Sequence, residues 1–246
     1  MKRIALLVLV LLLTAMPAFG KTIINLDPAL TQEQFKKLST DIGLALSYIP
    51  LSPAEPLGTT LLPGFDIGVE ATVVNIDRSE PYWSLAGTDI PSSLVFPKLH
   101  VQVGLPVVPI DFGYVYAKVP DSDIQLSGGE IKWAILRGST LTPAIALRGA
   151  YTKLSGVDVL DLDTKSLDVS ISKGFAMLTP YAGVAQVWIT SDSKDPNATL
   201  VVKKEDISET KAFVGLKMSL LPVFNIVAEA DFATVNMYSL RLNLSF

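Results

Sequence analysis

The chain has no cysteine and a single histidine, His100. The missing thiols exclude disulfides, cysteine-ligated zinc, thiol catalysis and a lipid anchor on an N-terminal cysteine. One imidazole excludes His-rich metal sites and any two-histidine mechanism. Charge is scarce too: 18% of residues are charged against 49% hydrophobic, and the mean hydropathy is +0.42. That is high for a chain folded in water. Yet beyond the first 20 positions there is no run of the about 18 apolar residues that a transmembrane helix needs. A helical membrane protein is therefore excluded, and the lack of a repeat or polar tract excludes collagen, coiled coil and bulk disorder. The 246 residues suffice for one large β domain or two small ones.

The only long apolar run lies at the start. Met1 to Gly20 reads as an export signal, with Lys2 and Arg3 as the basic region, Ile4 to Leu13 as the apolar region and Ala18-Phe19-Gly20 as a cleavage site. Its loss removes two basic residues, so the formal charge of −4 becomes more negative still. An acidic mature chain argues against a nucleic-acid partner. Residues 21–63 follow as a helical and irregular segment, and residues 64–246 as one β domain.

Thr31-Gln32-Glu33-Gln34 matches a capping box, with Leu30 and Phe35 placed as a hydrophobic staple. Phe35, Leu38 and Ile42 then recur at helical spacing. Ile42, Leu44, Leu46 and Tyr48 also alternate as a strand would, which leaves Asp41 to Tyr48 open between the two. Pro50, Pro53, Pro56 and Pro63 interrupt regular structure.

From Phe65 the period changes to two and stays so to Phe246. Phe65, Ile67, Val69, Ala71 and Val73 share one face, and Asp66, Gly68, Glu70 and Thr72 the other. Nine further stretches behave likewise, with a phase slip of the kind a bulge makes expected at Gly128-Gly129. In the stretch at Tyr181, the residues Tyr181, Ala185, Val187 and Ile189 are assigned to the apolar face and Trp188 to the polar one. Each stretch has about ten residues, the length of a tilted membrane strand, whereas strands of soluble proteins average about five or six.

The last stretch, Tyr238-x-Leu240-x-Leu242-x-Leu244-x-Phe246, ends the chain on an aromatic with apolar residues at every second position. It resembles the C-terminal assembly signal of Gram-negative outer-membrane β-barrel proteins. Leu62-Pro63-Gly64-Phe65-Asp66-Ile67-Gly68 and Thr179-Pro180-Tyr181-Ala182-Gly183-Val184 resemble segments of an uncharacterised set of such barrels. The resemblance implies outer-membrane localisation, contact with outer-membrane lipid and recognition by the barrel-assembly machinery. The expected fold is all-β: a single antiparallel, transmembrane up-and-down β-barrel of about 10 strands, alternatively 12, with a short N-terminal helix. Its oligomeric state is not readable.

Two features of the sequence agree with a membrane barrel. Links near Pro106, Gly138, Ala176 and Pro222 are short, Asp77–Pro91 and Thr190–Asp206 are long and polar, and three others are short or medium, a pattern set against tight periplasmic turns and longer outer loops. Aromatics fall at two levels: Phe65, Tyr181, Phe224 and Phe246 at one, and Tyr116, Tyr151, Phe232 and Tyr238 at the other. Eight residues from Phe224 to Phe232, tilted, span roughly 19 Å, close to the ~25 Å apolar band between aromatic girdles. The polar faces then line a lumen with Asp66, Glu70, Asp111, Glu130, Asp168, Glu229 and Asp231 against Lys98, Lys132, Arg148, Lys217 and Arg241, and His100 among them.

Ten strands lie just above the count whose lumen side chains fill, so a wide pore is not expected. The functional expectation is a structural barrel or a narrow channel for small polar solutes. The alternatives are a soluble periplasmic β-barrel or sandwich that binds a ligand, and a barrel handling lipid or other hydrophobic molecules. No enzyme is expected. His100, the one possible imidazole base, lies at mid-depth, away from the rim where lipid-acting sites sit. Asp158, Asp161 and Asp163, near Asp121 and Asp123, are acidic enough to suggest a weak Ca²⁺ site, but the spacing lacks the features of a calcium loop. No metal or cofactor is expected. The apolar stripe on the helix needs a cover, and the expected one is the periplasmic mouth of the barrel, which the helix would enter as a plug.

Overall fold

The computed structural model describes residues 26–27, 29–59, 61–86, 93–118, 123–194 and 202–246. The expected signal peptide and Asp121 lie outside them. Ten strands form: β1 (Gly64–Asn75), β2 (Ser93–Gly104), β3 (Ile110–Lys118), β4 (Gln125–Arg137), β5 (Ala144–Ser155), β6 (Leu160–Ser172), β7 (Leu178–Ser193), β8 (Glu205–Ser219), β9 (Phe224–Phe232) and β10 (Met237–Ser245). Each pairs antiparallel with its neighbours in sequence, and β1 pairs with β10, so the sheet closes into an up-and-down barrel with no free edge. One end of the barrel carries the four tight turns, β2–β3, β4–β5, β6–β7 and β8–β9. That is the turn end; the other is the loop end.

Before the barrel comes α1 (Gln32–Leu46), and the β1–β2 loop holds a short α2 (Pro81–Ala86). The capping box at Thr31 and Gln34 is formed in both directions. The helix continues through Leu46, where Ser47 caps it by donating its hydroxyl to the Leu44 carbonyl at 2.7 Å. The alternation in Asp41–Tyr48 therefore does not become a strand, and the barrel has ten strands, not twelve. Once nucleated by its cap, the helix satisfies its own backbone, and no free sheet edge is left for this segment to join.

Alternation settles which side chains point inward. Asp66, Gly68, Glu70 and Thr72 of β1 are buried while Phe65 and Ile67 are exposed. Two sequence expectations fail here. β4 runs without a slip at Gly128-Gly129, both of which pair in register with β3 and β5; the irregularity lies at Ala134–Leu136 and leaves Ile135 and Leu136 both outside. The apparent slip arose because Leu126, an apolar residue, points inward.

The second failure is β7, whose faces are inverted. Tyr181, Ala185, Val187 and Ile189 point into the lumen, and Val184 and Trp188 point out. Glycines on the paired strand make room for the inward aromatics. Tyr181 lies opposite Gly215 and Gly183 opposite Phe213. A Cβ at Gly215 would sit 2.1 Å from the Tyr181 ring, and one at Gly183 would sit 2.3 Å from that of Phe213.

The lumen is layered. Towards the loop end it is apolar: Leu126, Leu154, Leu162, Val187, Ile189 and Met237 meet Phe35, Leu38 and Leu44 of α1. Gly43 brings the helix against β7, since a Cβ there would fall 2.4 Å from Ile189 Cγ2. Each such side chain contributes about 1.5–3 kcal/mol on burial, while buried ion pairs come near to cancelling their desolvation cost. The apolar layer is thus the main stabiliser of the interior, and the ionic layer beneath it sets geometry.

Candidate functional site: a threaded lumen

α1 sits at the loop end, not in the mouth on the turn side. Ser39 Oγ donates to Ser191 Oγ at 2.8 Å, near the end of β7, and the Gln32 amide pairs with the backbone of Lys203 through bonds of 2.7 and 3.1 Å. Tyr82 of α2 donates to Asp41 at 2.8 Å. Burial raises the Asp41 carboxyl above its ordinary value, and the bond from Tyr82 offsets part of the rise. The expectation of a plug entering from the turn side is therefore corrected. The chain enters at the loop end, and residues 47–57 run along the lumen towards the turn end, where β1 begins. The prolines make this geometry accessible, because Pro50, Pro53 and Pro56 bar a continued helix and lack N–H groups that would need partners.

Lumen side chains meet polar groups of this segment at a series of points along it. Thr152 Oγ1 donates to Leu46 O at 2.9 Å and Lys211 Nζ to Tyr48 O at 3.2 Å. The Leu51 N–H donates to Glu229 at 3.0 Å. Arg241 reaches the Leu51 carbonyl at 3.4 Å, and Arg148 reaches the Ser52 hydroxyl at 3.2 Å. Lys132 Nζ donates to the carbonyls of Pro53 and Glu55 at 3.1 and 2.9 Å. The Ala54 N–H meets Ser172 at 3.1 Å, and the Leu57 N–H meets both oxygens of Asp111 at 3.0 and 3.1 Å. Charged and polar side chains of the wall thus hold this irregular backbone within the lumen.

The same side chains pair with one another. Glu70 and Lys98 are direct cross-strand partners at 3.0 Å, as are Asp111 and Lys132 at 2.9 Å. Arg148 lies 2.9 Å from Glu130 and 3.9 Å from Asp168, and Lys211 lies 2.9 Å from Asp231. Arg241 pairs with Asp66, which also accepts from Asn243. Buried charges are costly unless paired and hydrogen-bonded; the network pairs most of them, while Arg148 Nη1, Asp168 Oδ1 and Glu229 Oε1 are buried without a hydrogen-bond partner among the described residues.

His100 joins the network to the segment. Its Nδ1 is 2.9 Å from Glu70 Oε2, and its Nε2 is 2.7 Å from the Tyr48 hydroxyl. A hydroxyl, an imidazole and a carboxylate in series are the parts of a nucleophile–base relay. Here the Tyr48 side chain is buried in a filled lumen and has no open face for a substrate, so the series acts as a structural clamp.

Of the charged residues expected in the lumen, Asp66, Glu70, Lys98, His100, Asp111, Glu130, Lys132, Arg148, Asp168, Glu229, Asp231 and Arg241 are buried there, and Lys217 is half-buried. Lys217 lines a cavity of about 250 Å³ at the turn end together with Lys132, Arg241, Asn243 and Glu55. Sequence reasoning missed Lys211, whose parity matches Lys217, missed Tyr48, whose alternation with Leu44 and Leu46 suggested a strand, and missed Ser52, which carries no periodic signal. Among the aromatics expected in two girdles, Phe65, Tyr151, Phe232 and Tyr238 are exposed on the outside, and Tyr116 and Phe224 are half-buried. Tyr181 is corrected: it lies in the lumen and donates to Glu229 at 2.6 Å. In β10, Tyr238, Leu240 and Leu244 are exposed, Leu242 is half-buried, and Phe246 stacks on Phe65 with ring centroids 5.8 Å apart. Asp158 is exposed at the loop end, Asp161 pairs with Lys194 at 3.1 Å, and Asp163 is half-exposed.

No protein-family model matches the chain, and no curated protein matches it. Solved structures to which it is similar include a loop-deletion mutant of OmpT, an outer membrane protein of Vibrio cholerae, at 12% identity and TM-score 0.34. That alignment covers 63% of this chain and 55% of the other, so the chain spans about half the length of that protein. The N-terminal β-barrel domain of Pseudomonas aeruginosa OprF aligns at 17% identity and TM-score 0.33, covering 74% of this chain and 97% of that domain. Neisserial surface protein A aligns at 8% identity and TM-score 0.31, covering 74% and 95%.

Proposed function

We propose that this chain is an outer-membrane barrel with a structural, closed role, whose lumen is occupied by its own N-terminal segment. The observation that carries this is the row of bonds from Thr152, Lys211, Glu229, Arg241, Arg148, Lys132 and Asp111 to the backbone and Ser52 hydroxyl of residues 46–57. A segment held along the lumen stands in the path of any solute. The apolar outer faces support the membrane setting, with Ile67, Ile131, Val169, Val214 and Leu240 all exposed on a barrel whose polar faces point in. A soluble barrel would have to turn those faces to water. The tight turns then face the periplasm and the loop end, α1 included, faces outward.

Planar-bilayer recording tests the reading. The full chain should show no steady conductance, and a variant lacking residues 31–58 should conduct if it assembles. Steady conductance by the intact chain would favour a narrow solute channel instead. Membrane insertion is tested separately, by heat-modifiable gel mobility of outer-membrane fractions.

A further inference from the structure

The two ends of the barrel treat apolar side chains in opposite ways. At the loop end Ile76, Trp83, Leu160 and Val202 are buried within the core cluster, and the exposed rim carries charge of both signs, including Asp158, Lys194 and Lys203. At the turn end the apexes carry apolar residues into the open: Val107 is 69% exposed and Leu141 is 90%, with Phe175 and Leu221 beside them in the other two turns. Val107 holds this position at φ 70°, in the left-handed region that a β-branched residue disfavours. Among the described residues, the charged side chains outside the lumen at this end are Arg137 and Lys173.

These turns also satisfy their own polar groups. In the β4–β5 turn, Ser139 accepts from the N–H groups of Leu141 and Thr142, and its own N–H donates to Thr142 O. Lys173 Nζ takes up the carbonyls of Ser139, Thr140 and Thr142 at 2.7–3.2 Å. In the β2–β3 turn, Val107 donates to Thr59 O at 3.2 Å and its carbonyl is held by Arg137, while Pro106 and Pro109 offer no N–H. In the β8–β9 turn, Leu220 and Leu221 both donate to Phe224 O. Such bonding is common in turns exposed to water as well, and here it leaves the apexes compatible with an apolar phase. Backbone in an apolar phase must be satisfied internally.

We propose that the turn end is a lipid-docking surface, with the apexes of the four tight turns lying in the headgroup–acyl boundary of a phospholipid leaflet. The surface is continuous with the apolar outer face through Ile171 and Val223, both exposed, which is why lipid rather than a protein is its occupant. This inference rests on the barrel spanning a membrane, and its test separates the two.

The chain has no cysteine, so single cysteines can be placed at Val107, Leu141 and Asp158, and at Val169 on the outer face of β6. Each full-length variant is labelled with an environment-sensitive fluorophore and refolded into phosphatidylcholine–phosphatidylglycerol vesicles containing nitroxide lipids. Blue-shifted emission with lipid quenching at 107, 141 and 169, but not at 158, is the expected result. Aqueous-type emission at either apex, with position 169 still quenched by lipid, overturns the docking surface and leaves a periplasmic protein as its cover. An unquenched position 169 overturns both the docking surface and the membrane reading.

Discussion

The Tyr48 hydroxyl lies 2.7 Å from Nε2 of His100, and both side chains are buried in the middle of the lumen. The bond ties a residue outside the barrel sheet to the wall, 52 positions along the chain. With Nδ1–H given to Glu70, Nε2 is the acceptor, and the Tyr48 hydroxyl is the donor that satisfies it.

Replacing Tyr48 by Phe should therefore leave a buried acceptor unpaired, at a cost of about 1–3 kcal/mol. Urea unfolding in lipid vesicles measures this. A double-mutant cycle with His100→Asn should show that the two losses are not additive. Additive losses would mean the contact carries no coupling.

Gly215 faces the Tyr181 ring, and a Cβ there would intrude to 2.1 Å. Gly215→Ala should cost about 1–3 kcal/mol through overpacking. In a Tyr181→Leu background the same substitution should cost less, and an equal cost in both backgrounds would remove the ring from the explanation.

Asp41 has its carboxyl raised above the ordinary 3.8 because burial disfavours the charged form. The folded state then binds the proton more tightly than the unfolded chain. Its contribution is most favourable below the ordinary carboxylate value and is lost as pH rises through the raised folded value. Asp41→Asn keeps an acceptor for Tyr82 and should flatten this part of the pH profile of thermal unfolding. An unchanged profile would assign the dependence to another group.

Leu147 and Ala146 are adjacent in β5 and point to opposite sides. Ala146 is fully buried with Ala54 and Ala144, while the cross-strand partners of Leu147, Trp133 and Val169, are exposed on the outside. Leu147→Arg should cost roughly 2–4 kcal/mol in a bilayer if it lies near the midplane and far less in detergent. Ala146→Leu should cost about 1–3 kcal/mol in both, since its limit is space and not solvent. Equal behaviour of the two variants in both media would mean that the outer face does not meet lipid.

Phe246 closes the β1–β10 seam through paired backbone bonds with Phe65 of 2.7 and 2.9 Å and a stacked ring. Deleting Phe246 should sharply reduce the heat-modifiable fraction recovered from membranes. Full recovery would show that neither the seam nor a C-terminal assembly signal depends on it.

The ten strands, the inward set of nearly all the charged residues and the capped helix could be read from the residues alone. A period of two fixes opposite faces without reference to any neighbour, and a capping box is closed within four residues. What the alternation could not decide is β7, because both of its faces carry apolar residues. Only the glycines opposite, Gly215 against Tyr181 and the close packing of Phe213 against Gly183, show which face has room inside. The bulge at Ala134–Leu136 likewise depends on pairing with β5.

The path of residues 47–57 belongs wholly to the tertiary structure. A proline-broken segment has no period to betray its partners. Its bonds run to Glu229 and Arg241 as well as to Asp111, at separations from 54 to 190 residues. Local sequence determined that this stretch would be irregular. The closed wall decided what would hold it, because backbone groups away from water need partners and the charges and hydroxyls of the lumen supply them.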